Sequence, residues 1–237
     1  HHKCSGRSNF GRMKETLPHF NEAMKKQQIS FDVYPYVAGS TILRSDMLER
    51  ADKVLITWSD KVPGMSGRDL KEIAEEMGCS MKEAADRIQP AGAIYFMMDE
   101  KDVQAAMSHP GAMIGSDGIP FDAHPHPRLW GTFPRVLGHY SRDLGLFPLE
   151  DAVRRMTSYS AQRFHLTHRG EVKPGFYADL CVFDPATVID TATFEKPISP
   201  ARGIDTVICN GAFAWRDGKP GGGQAGRALN RQAMQAE

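Results

Sequence analysis

A carboxylate, two imidazoles and a guanidinium follow one another in the stretch Met113–Phe133, where they could form a reactive site. The apolar run Ala112–Ile114 ends in Gly-Ser-Asp-Gly, which predicts a buried strand that runs into a loop, with Asp117 at its C-terminal end. In a β/α barrel that end of the strands forms the active-site face, so Asp117 is our candidate for a catalytic acid or base. Asp-Gly is also an ordinary turn signal, so this interpretation depends on the rest of the chain.

The loop that follows Asp117 carries His124, His126 and Arg128, which are separated by Pro125 and Pro127. Proline fixes φ and lacks an N–H group, so this pattern predicts a stiff, extended loop. Such a loop beside a strand-end carboxylate indicates a site for an anionic small molecule. We leave both histidines out of the candidate metal ligands, because a loop imidazole is more often a hydrogen-bonded side chain than a ligand.

The composition is that of an ordinary globular protein. Of 237 residues, 41% are hydrophobic, and 29 Lys and Arg balance 29 Asp and Glu, so nothing indicates a nucleic-acid partner. No window approaches the roughly 18 apolar residues of a membrane span, so we predict no membrane partner. The four cysteines are scattered without a Cys-x-x-Cys pair, which excludes a zinc knuckle and favours a reducing, cytoplasmic location.

Only two segments before residue 165 have the pattern of a strand. Ile29–Tyr34 alternates apolar and polar residues, and Ala112–Ser116 is a short apolar run. The apolar spacing over Phe10–Gln28 predicts an amphipathic helix, whose start we expect to be delayed to about Pro18.

The segment from about residue 41 to 99 is predicted to be a helical insertion. It contains two helical patterns, Gly67–Met77 and Met81–Ile88, and Ser80 with Glu83 predicts a capping box for the second. Acidic residues dominate both helices, so a DNA-binding helix-turn-helix is disfavoured and an insertion that covers a pocket is favoured. We expect the apolar run that begins at Ala93 to return the chain to the main body.

The last part of the chain has the pattern of a small β-domain, which we assign to residues 169–220. Thr206–Cys209 and Ala212–Arg216 flank Asn210-Gly211, and Asn-Gly is the strongest short hairpin signal. Residues 221–237 are rich in Gly and Gln and are predicted to form a loose tail. The chain is therefore predicted to be a partial β/α barrel over residues 1–168, followed by this β-domain. A complete barrel needs about 200 or more residues of its own, so we expect an N-terminal half of the barrel that this sequence lacks.

Several blocks of the sequence resemble the D-aminoacylases (N-acyl-D-amino-acid deacylases), a branch of the amidohydrolase superfamily, over nearly the whole chain. The resemblance implies an α/β fold that consists of the C-terminal part of a (β/α)8 TIM-type barrel, a helical lid insertion and a small C-terminal β-domain. The blocks are His1-His2-Lys3 with Gly6 and Asn9, Phe31–Tyr36 with Gly39-Ser40-Thr41, Gly115–Gly118 with His126-Pro127-Arg128, and a superfamily block from Arg169-Gly170 to Asp184-Pro185.

The resemblance also implies a role for each matching residue. His1 matches the imidazole that ligates metal at the end of the sixth strand, with His2 as the alternative, and Asp117 matches the acid/base at the end of the eighth. The groups that match binders of the substrate's α-carboxylate are Lys3, Tyr34, Ser40 and Arg128.

The chemistry of these residue types agrees with that assignment. Zinc lowers the pKa of a bound water to about 7, and a carboxylate can take a proton from water and pass it to the leaving amine. Arginine offers a carboxylate a planar, bidentate fork. We therefore predict zinc-dependent hydrolysis of N-acyl-D-amino acids by the complete enzyme. A zinc site needs three or more protein ligands, so we expect this chain alone to be inactive and to bind zinc poorly.

Two alternatives stay open. The first is a cyclic-amide hydrolase of the dihydropyrimidinase type, which the Tyr-Pro-Tyr, insertion and His-Pro-Arg blocks disfavour. The second is a non-catalytic half that associates with a second chain, since a divided barrel exposes strand edges. The sequence also leaves open whether the substrate side chain is hydrophobic, glutamyl or aspartyl, and whether one metal or two are bound.

Overall fold

The computed structural model of the chain describes residues 1–229. They divide into two compact units. Unit 1 joins His1–Thr132 to Ala192–Pro200, and unit 2 joins Phe133–Thr191 to the chain from Ala201 onward.

Helices and strands are interspersed along residues 1–229. The α-helices are α1 (Met13–Met24), α2 (Leu70–Glu76), α3 (Met81–Ile88), α4 (Glu100–Ser108), α5 (Arg128–Arg135), α6 (Leu149–Met156) and α7 (Ser158–Phe164). The strands are β1 (Phe31–Val33), β2 (Ala38–Ile42), β3 (Lys53–Ser59), β4 (Ala91–Phe96), β5 (Ala112–Ile114), β6 (Leu180–Phe183), β7 (Ile204–Cys209), β8 (Ala212–Arg216) and β9 (Lys219–Pro220). Short 3-10 helices span Arg7–Asn9 and Ser45–Arg50, and a π-helical segment spans Val136–Asp143.

The two strands predicted before residue 165 are confirmed, and they pair with each other. Strands β1 and β5 are parallel, with Phe31 opposite Ala112 and Val33 opposite Ile114. Ala112 and Ile114, the first and last residues of β5, are both buried. The parallel arrangement brings the C-terminal ends of β1 and β5 to the same edge, where Asp117 follows.

Helix α1 begins at Met13, so the predicted delay to Pro18 is wrong. The start of the helix is held by the buried carboxylate of Asp102 on α4, which accepts hydrogen bonds from the backbone N–H groups of Gly11 at 2.7 Å and Met13 at 3.1 Å. Proline removes one intrahelical hydrogen bond. With its first turn held in this way, the helix passes through Pro18.

The predicted insertion contains a sheet that the sequence analysis missed. Strands β2, β4 and β3 form an antiparallel sheet with β4 in the middle, so three strands besides β1 and β5 precede residue 165. The run that begins at Ala93 forms the central strand of this sheet, and its return of the chain to the main body stays a prediction. Strand pairing between Lys53–Ser59 and a segment more than thirty residues away is non-local, which is why local patterns did not reveal it.

Both predicted helices of the insertion are present and pack on this sheet. Ser80 and Glu83 form the predicted capping box at the start of α3. The apolar faces of α2 and α3 bury Ile73 and Ile88 in one core cluster with Ile56 of β3.

Unit 2 begins with helical turns that pack on the segment after residue 184. A Cβ at Gly138 would collide with the carbonyl oxygen of Val188, so glycine is needed for this approach. Arg142 donates from Nη1 to the same carbonyl oxygen at 2.7 Å. By such contacts the chain from Phe133 to Thr191 forms one compact unit with the chain from Ala201. The domains 1–168 and 169–220 remain a prediction about the barrel and its β-domain.

The sheet of unit 2 contains the predicted hairpin. Strands β7 and β8 are antiparallel and flank Asn210 and Gly211, whose φ values of 47° and 82° are those of a type I′ turn. Strand β6 pairs with the other edge of β7 and is shorter than the run from Gly175 predicted. Residues 221–229 contain no helix or strand, and the remainder of the predicted tail, 230–237, lies outside the described residues. No helix within residues 1–229 has the length and apolar character that a membrane span requires.

Candidate functional site

The candidate site of unit 1 lies where β1 and β5 end. Its centre is His1, whose Nδ1 lies 2.7 Å from Oδ2 of Asp32 and whose Nε2 lies 3.3 Å from Oδ1 of Asp117. The residue after His1 donates its backbone N–H to the Asp32 carbonyl oxygen, so the N-terminal stretch runs beside β1. The chain is thus folded so that an imidazole stands between two carboxylates.

The contact with Asp32 orients the His1 ring. With the carboxylate of Asp32 beside Nδ1, Nε2 is the ring nitrogen that faces Asp117. Metal-ligating histidines share this arrangement, in which a carboxylate binds the ring nitrogen that does not face the metal. His1 therefore fits the chemistry of a metal ligand.

The neighbouring histidine faces the other way. His2 hydrogen-bonds through Nε2 to Oγ1 of Thr16 at 2.9 Å, and its ring packs against those of Phe20 and Phe31. Burial lowers the pKa of His2, which keeps its ring neutral in this apolar setting. Of the two alternatives from the sequence, the structure brings His1 to Asp117 and His2 into the packing between α1 and β1.

Asp117 occupies an unusual backbone conformation at the end of β5. Its φ is +50°, in the left-handed region that aspartate tolerates better than most residues. Its side chain is 39% exposed, so it faces both the protein and solvent. Besides His1, the carboxylate contacts the guanidinium of Arg128, whose Nη2 lies 2.9 Å from Oδ2.

Arg128 is almost fully buried, with only 1% of its side chain exposed. Its Nη2 also donates to the Ser40 carbonyl oxygen at 3.3 Å, and its Cζ lies 4.8 Å above the centre of the Tyr34 ring. Within residues 1–229, its Nε and Nη1 have no hydrogen-bond partner, and neither has the buried Oγ of Ser40. A buried cation with unpartnered donors has the capacity to bind an anion.

The remaining predicted residues gather around Tyr34. Lys3 donates from Nζ to the Tyr34 hydroxyl at 2.9 Å. Gly39 of β2 makes room for them, since a Cβ there would lie 3.1 Å from the hydroxyl oxygen. The structure therefore brings Lys3 and Arg128 to the Tyr34 ring, and it brings Ser40 to Arg128 through its carbonyl oxygen. The roles predicted for these residues remain predictions.

Two residues of this site were not predicted from the sequence. Asp32 lies two positions before Tyr34 in a predicted strand, and a period of two places both side chains on the same face. His126 was treated as a loop imidazole, but it is buried with both ring nitrogens bonded to backbone groups. No local signal distinguishes it from His124, which donates from Nε2 to the Phe194 carbonyl oxygen at 2.7 Å.

Within residues 1–229, no group of three or more His, Cys, Asp and Glu side chains has the geometry to hold a metal ion. The observation that favours a metal at this site is that Nε2 of His1 faces Asp117.

Comparison with known proteins gives a consistent picture. Residues 22–214 match the sequence family described as the amidohydrolase family. A D-aminoacylase from Alcaligenes xylosoxydans xylosoxydans is 57% identical over 98% of this chain and 48% of its own length.

Two solved structures extend this comparison to three dimensions. A D-aminoacylase described with a binuclear metal centre superposes with a TM-score of 0.94 at 60% identity, over 98% of this chain and 49% of that one. An N-acyl-D-glutamate deacylase from Bordetella bronchiseptica, in complex with zinc and a phosphonate inhibitor, gives 0.90 at 46% identity, over 93% and 48%. The chain spans about half the length of the curated relatives it matches.

Proposed function

The chain belongs to the amidohydrolase family, and we propose that its site serves the metal-dependent hydrolysis of the amide bond of N-acyl-D-amino acids to a D-amino acid and a carboxylate. The observation that carries this proposal is the continuous contact from Asp32 through His1 and Asp117 to Arg128. It joins an oriented imidazole, a half-exposed carboxylate and a buried guanidinium with unused donors.

Zinc is the metal that we propose for this site. Nε2 of His1 would be a ligand, because the carboxylate of Asp32 lies against the other ring nitrogen. The bound metal would supply a water whose pKa is lowered to about 7. A catalytic zinc site takes three protein ligands. We propose that the others belong to an N-terminal half of the barrel, in the part of the relatives that this chain does not match.

Asp117 is positioned to move the proton. Its carboxylate accepts a proton from the attacking water and returns it to the leaving nitrogen, which is general base and then general acid catalysis by one group. Its exposed face leaves room for water and substrate, and the ion pair with Arg128 fixes its other face.

Arg128, Lys3, Tyr34 and Ser40 form the proposed anchor for the substrate's α-carboxylate. The guanidinium of Arg128 and the ammonium of Lys3 lie near the Tyr34 ring and complement a carboxylate in charge. The unpartnered donors of Arg128 and the buried hydroxyl of Ser40 would complement it in hydrogen bonding. A cationic anchor on one side of the scissile amide also orients the substrate toward Asp117, which is a large part of catalysis.

The insertion and the C-terminal sheet have proposed roles as well. Strand β2 runs from Ser40, which binds Arg128, into the segment between residues 41 and 99, and we propose that this segment forms a lid over the substrate. The segment 169–220 is proposed as the small β-domain of the family. A cytoplasmic location is part of the proposal, because the four cysteines are unpaired thiols.

The test is an assay of the full-length gene product in the presence of zinc. N-acetyl-D-leucine, N-acetyl-L-leucine and hydantoin are the substrates. We expect release of acetate from the D-enantiomer, little from the L-enantiomer and no opening of hydantoin. No turnover of N-acetyl-D-amino acids with zinc present would overturn the proposal, and turnover of hydantoin alone would favour a cyclic-amide hydrolase.

A further inference from the structure

His126 lies between the proposed carboxylate anchor and the edge of the insertion sheet. It is 3% exposed, and both of its ring nitrogens bind backbone atoms. We propose that His126 is a positioning residue that directs the Arg128 guanidinium toward Asp117 and the substrate carboxylate. The inference rests on the proposed function for the identity of that carboxylate.

The first contact fixes the backbone from which the arginine side chain departs. Nδ1 of His126 accepts the backbone N–H of Arg128 at 3.0 Å, at the first residue of α5. The backbone N–H groups in the first turn of a helix have no partner within the helix, so this imidazole caps α5. The cap determines where the Cα of Arg128 lies.

The second contact ties the same ring to β2. Nε2 of His126 donates to the Ala38 carbonyl oxygen at 2.9 Å, and two residues further along the strand the Ser40 carbonyl accepts from Nη2 of Arg128. Strand β2 lies at the edge of its sheet. The imidazole of His126 thus binds the Ala38 carbonyl oxygen, and the guanidinium of Arg128 binds the Ser40 carbonyl oxygen of the same strand. A shift of His126 therefore displaces Arg128 relative to Ser40.

The surroundings hold the ring in one tautomer. The ring makes edge-to-face contacts with Tyr36 and Phe194, at 5.1 and 5.0 Å between ring centres. Burial and the charge of Arg128 keep the pKa of His126 well below its usual value, so the ring is neutral. A neutral ring with a proton on Nε2 is the form that can donate to Ala38 and accept from Arg128 at the same time.

Arg128 depends on this support because its own side-chain contacts are few. Only Nη2 has polar partners within residues 1–229, namely Asp117 and the Ser40 carbonyl. A long side chain with many rotamers loses its direction when its backbone moves. An imidazole that fixes that backbone therefore controls where the two free donors point.

The test compares three variants of the full-length gene product, loaded with zinc. His126→Ala removes both backbone contacts, and His126→Asn retains an acceptor for the N–H of Arg128. His124→Ala is the matched control, because it removes an imidazole-to-carbonyl bond from the same loop without touching Arg128. The substrates are N-acetyl-D-leucine and its carboxamide, N-acetyl-D-leucinamide, which lacks the carboxylate.

For N-acetyl-D-leucine, we expect His126→Ala to lower kcat/KM by about 10- to 100-fold, mainly through KM, because misplacement of a binding group by about 1 Å has effects of this size. The carboxamide should lose less than about threefold, His126→Asn should recover part of the loss, and His124→Ala should remain within about threefold of the wild type. Equal losses for both substrates would overturn the inference, because they would indicate a merely structural role.

Crystal structures of the wild type and of His126→Ala separate this inference from the proposed function. If the wild type hydrolyses neither substrate, the proposed function fails, and the position of the guanidinium still decides the role of His126. Displacement of the Arg128 guanidinium from Asp117 in His126→Ala supports the inference. A guanidinium that stays within hydrogen-bonding distance of Asp117 overturns it.

Discussion

The residue that follows β5 offers a sharp test of how the site is built. Gly115 lies beside the pair formed by Asp32 and His1. A Cβ at this position would lie 2.5 Å from Oδ2 of Asp32 and 3.4 Å from Cε1 of His1. We predict that Gly115→Ala leaves the protein folded and stable but lowers catalytic efficiency by about 100-fold.

The magnitude follows from these distances. Ordinary contact begins near 3.4 Å, so the Asp32 carboxylate oxygen must retreat by about 0.9 Å. This oxygen is 2.7 Å from Nδ1 of His1, so the bond either lengthens past the roughly 3.2 Å limit of a hydrogen bond or pulls the ring with it. In both cases Nε2 of His1 leaves its position, and a displacement of about 1 Å at a reacting group costs about 100-fold in rate.

The stability of this variant should hardly change. The φ of Gly115 is not in the left-handed region, so alanine fits the backbone without strain. Alanine also restricts the unfolded chain, which stabilises a protein by about 0.4–1 kcal/mol and offsets the cost of moving one flexible side chain. We expect the free energy of unfolding to stay within about 1 kcal/mol of the wild type.

The assay measures kcat/KM for N-acetyl-D-leucine and unfolding in urea on the same preparation of the zinc-loaded, full-length gene product. Gly111→Ala is the matched control, because Gly111 precedes the other end of β5 and its Cβ would meet the flexible Sδ of Met24 at 3.0 Å. This control should keep its activity. If Gly115→Ala retains kcat/KM within about threefold, then the Asp32 contact does not determine the position of His1, and the reasoning is refuted.

Three further predictions concern single groups. Asp102→Ala leaves two backbone N–H groups at the start of α1 without their charged acceptor, so chemical denaturation should show a loss of about 3 kcal/mol; a loss below about 1 kcal/mol would contradict this. The pKa of His126 is lowered in the folded state, so the unfolded chain binds the proton more tightly. The free energy of unfolding should therefore fall as the pH drops below about 6.5. This fall should be steeper in the wild type than in His126→Gln. If the free energy of unfolding falls equally with pH in the wild type and in His126→Gln, the lowered pKa of His126 is contradicted. Arg128→Lys keeps the charge but loses the planar guanidinium with its several donors, so kcat/KM for N-acetyl-D-leucine should fall at least about tenfold, and an unchanged value would exclude Arg128 as the carboxylate anchor.

Local sequence patterns were sufficient for the parts of the fold that local chemistry determines. The alternation in Ile29–Tyr34 and the apolar run before Gly115 predicted the two parallel strands. The Ser80 capping box and the Asn210-Gly211 turn were also predicted, since each is formed by residues within four positions of one another. These features depend on backbone geometry and side-chain hydrogen bonds that the sequence displays directly.

The rest depends on contacts between distant segments. Strand β3 forms only because β4 pairs with it across the intervening helices α2 and α3. Helix α1 passes through Pro18 because a carboxylate 89 positions after Met13 holds its first turn. Such pairings have no signature in the local pattern of either partner.

The candidate site shows the same division. Asp117 could be proposed from the end of a strand, and the resemblance to a family pointed to the residues around Tyr34. The burial of His126 could not be foreseen, because it depends on Phe194, which approaches from far along the chain. A proline-rich loop seen in isolation is exposed, and only the complete packing shows that its second histidine is inside.

The most direct test of the account is the activity of Asp117→Asn in the full-length gene product, with zinc content measured on the same sample. The substitution keeps the shape of the side chain and removes its capacity to accept a proton. At equal zinc occupancy, we predict that kcat of this variant for N-acetyl-D-leucine falls by about 10²- to 10⁴-fold. An Asp117→Asn variant that hydrolyses this substrate within a few-fold of the wild-type rate would contradict the central claim that Asp117 transfers the proton.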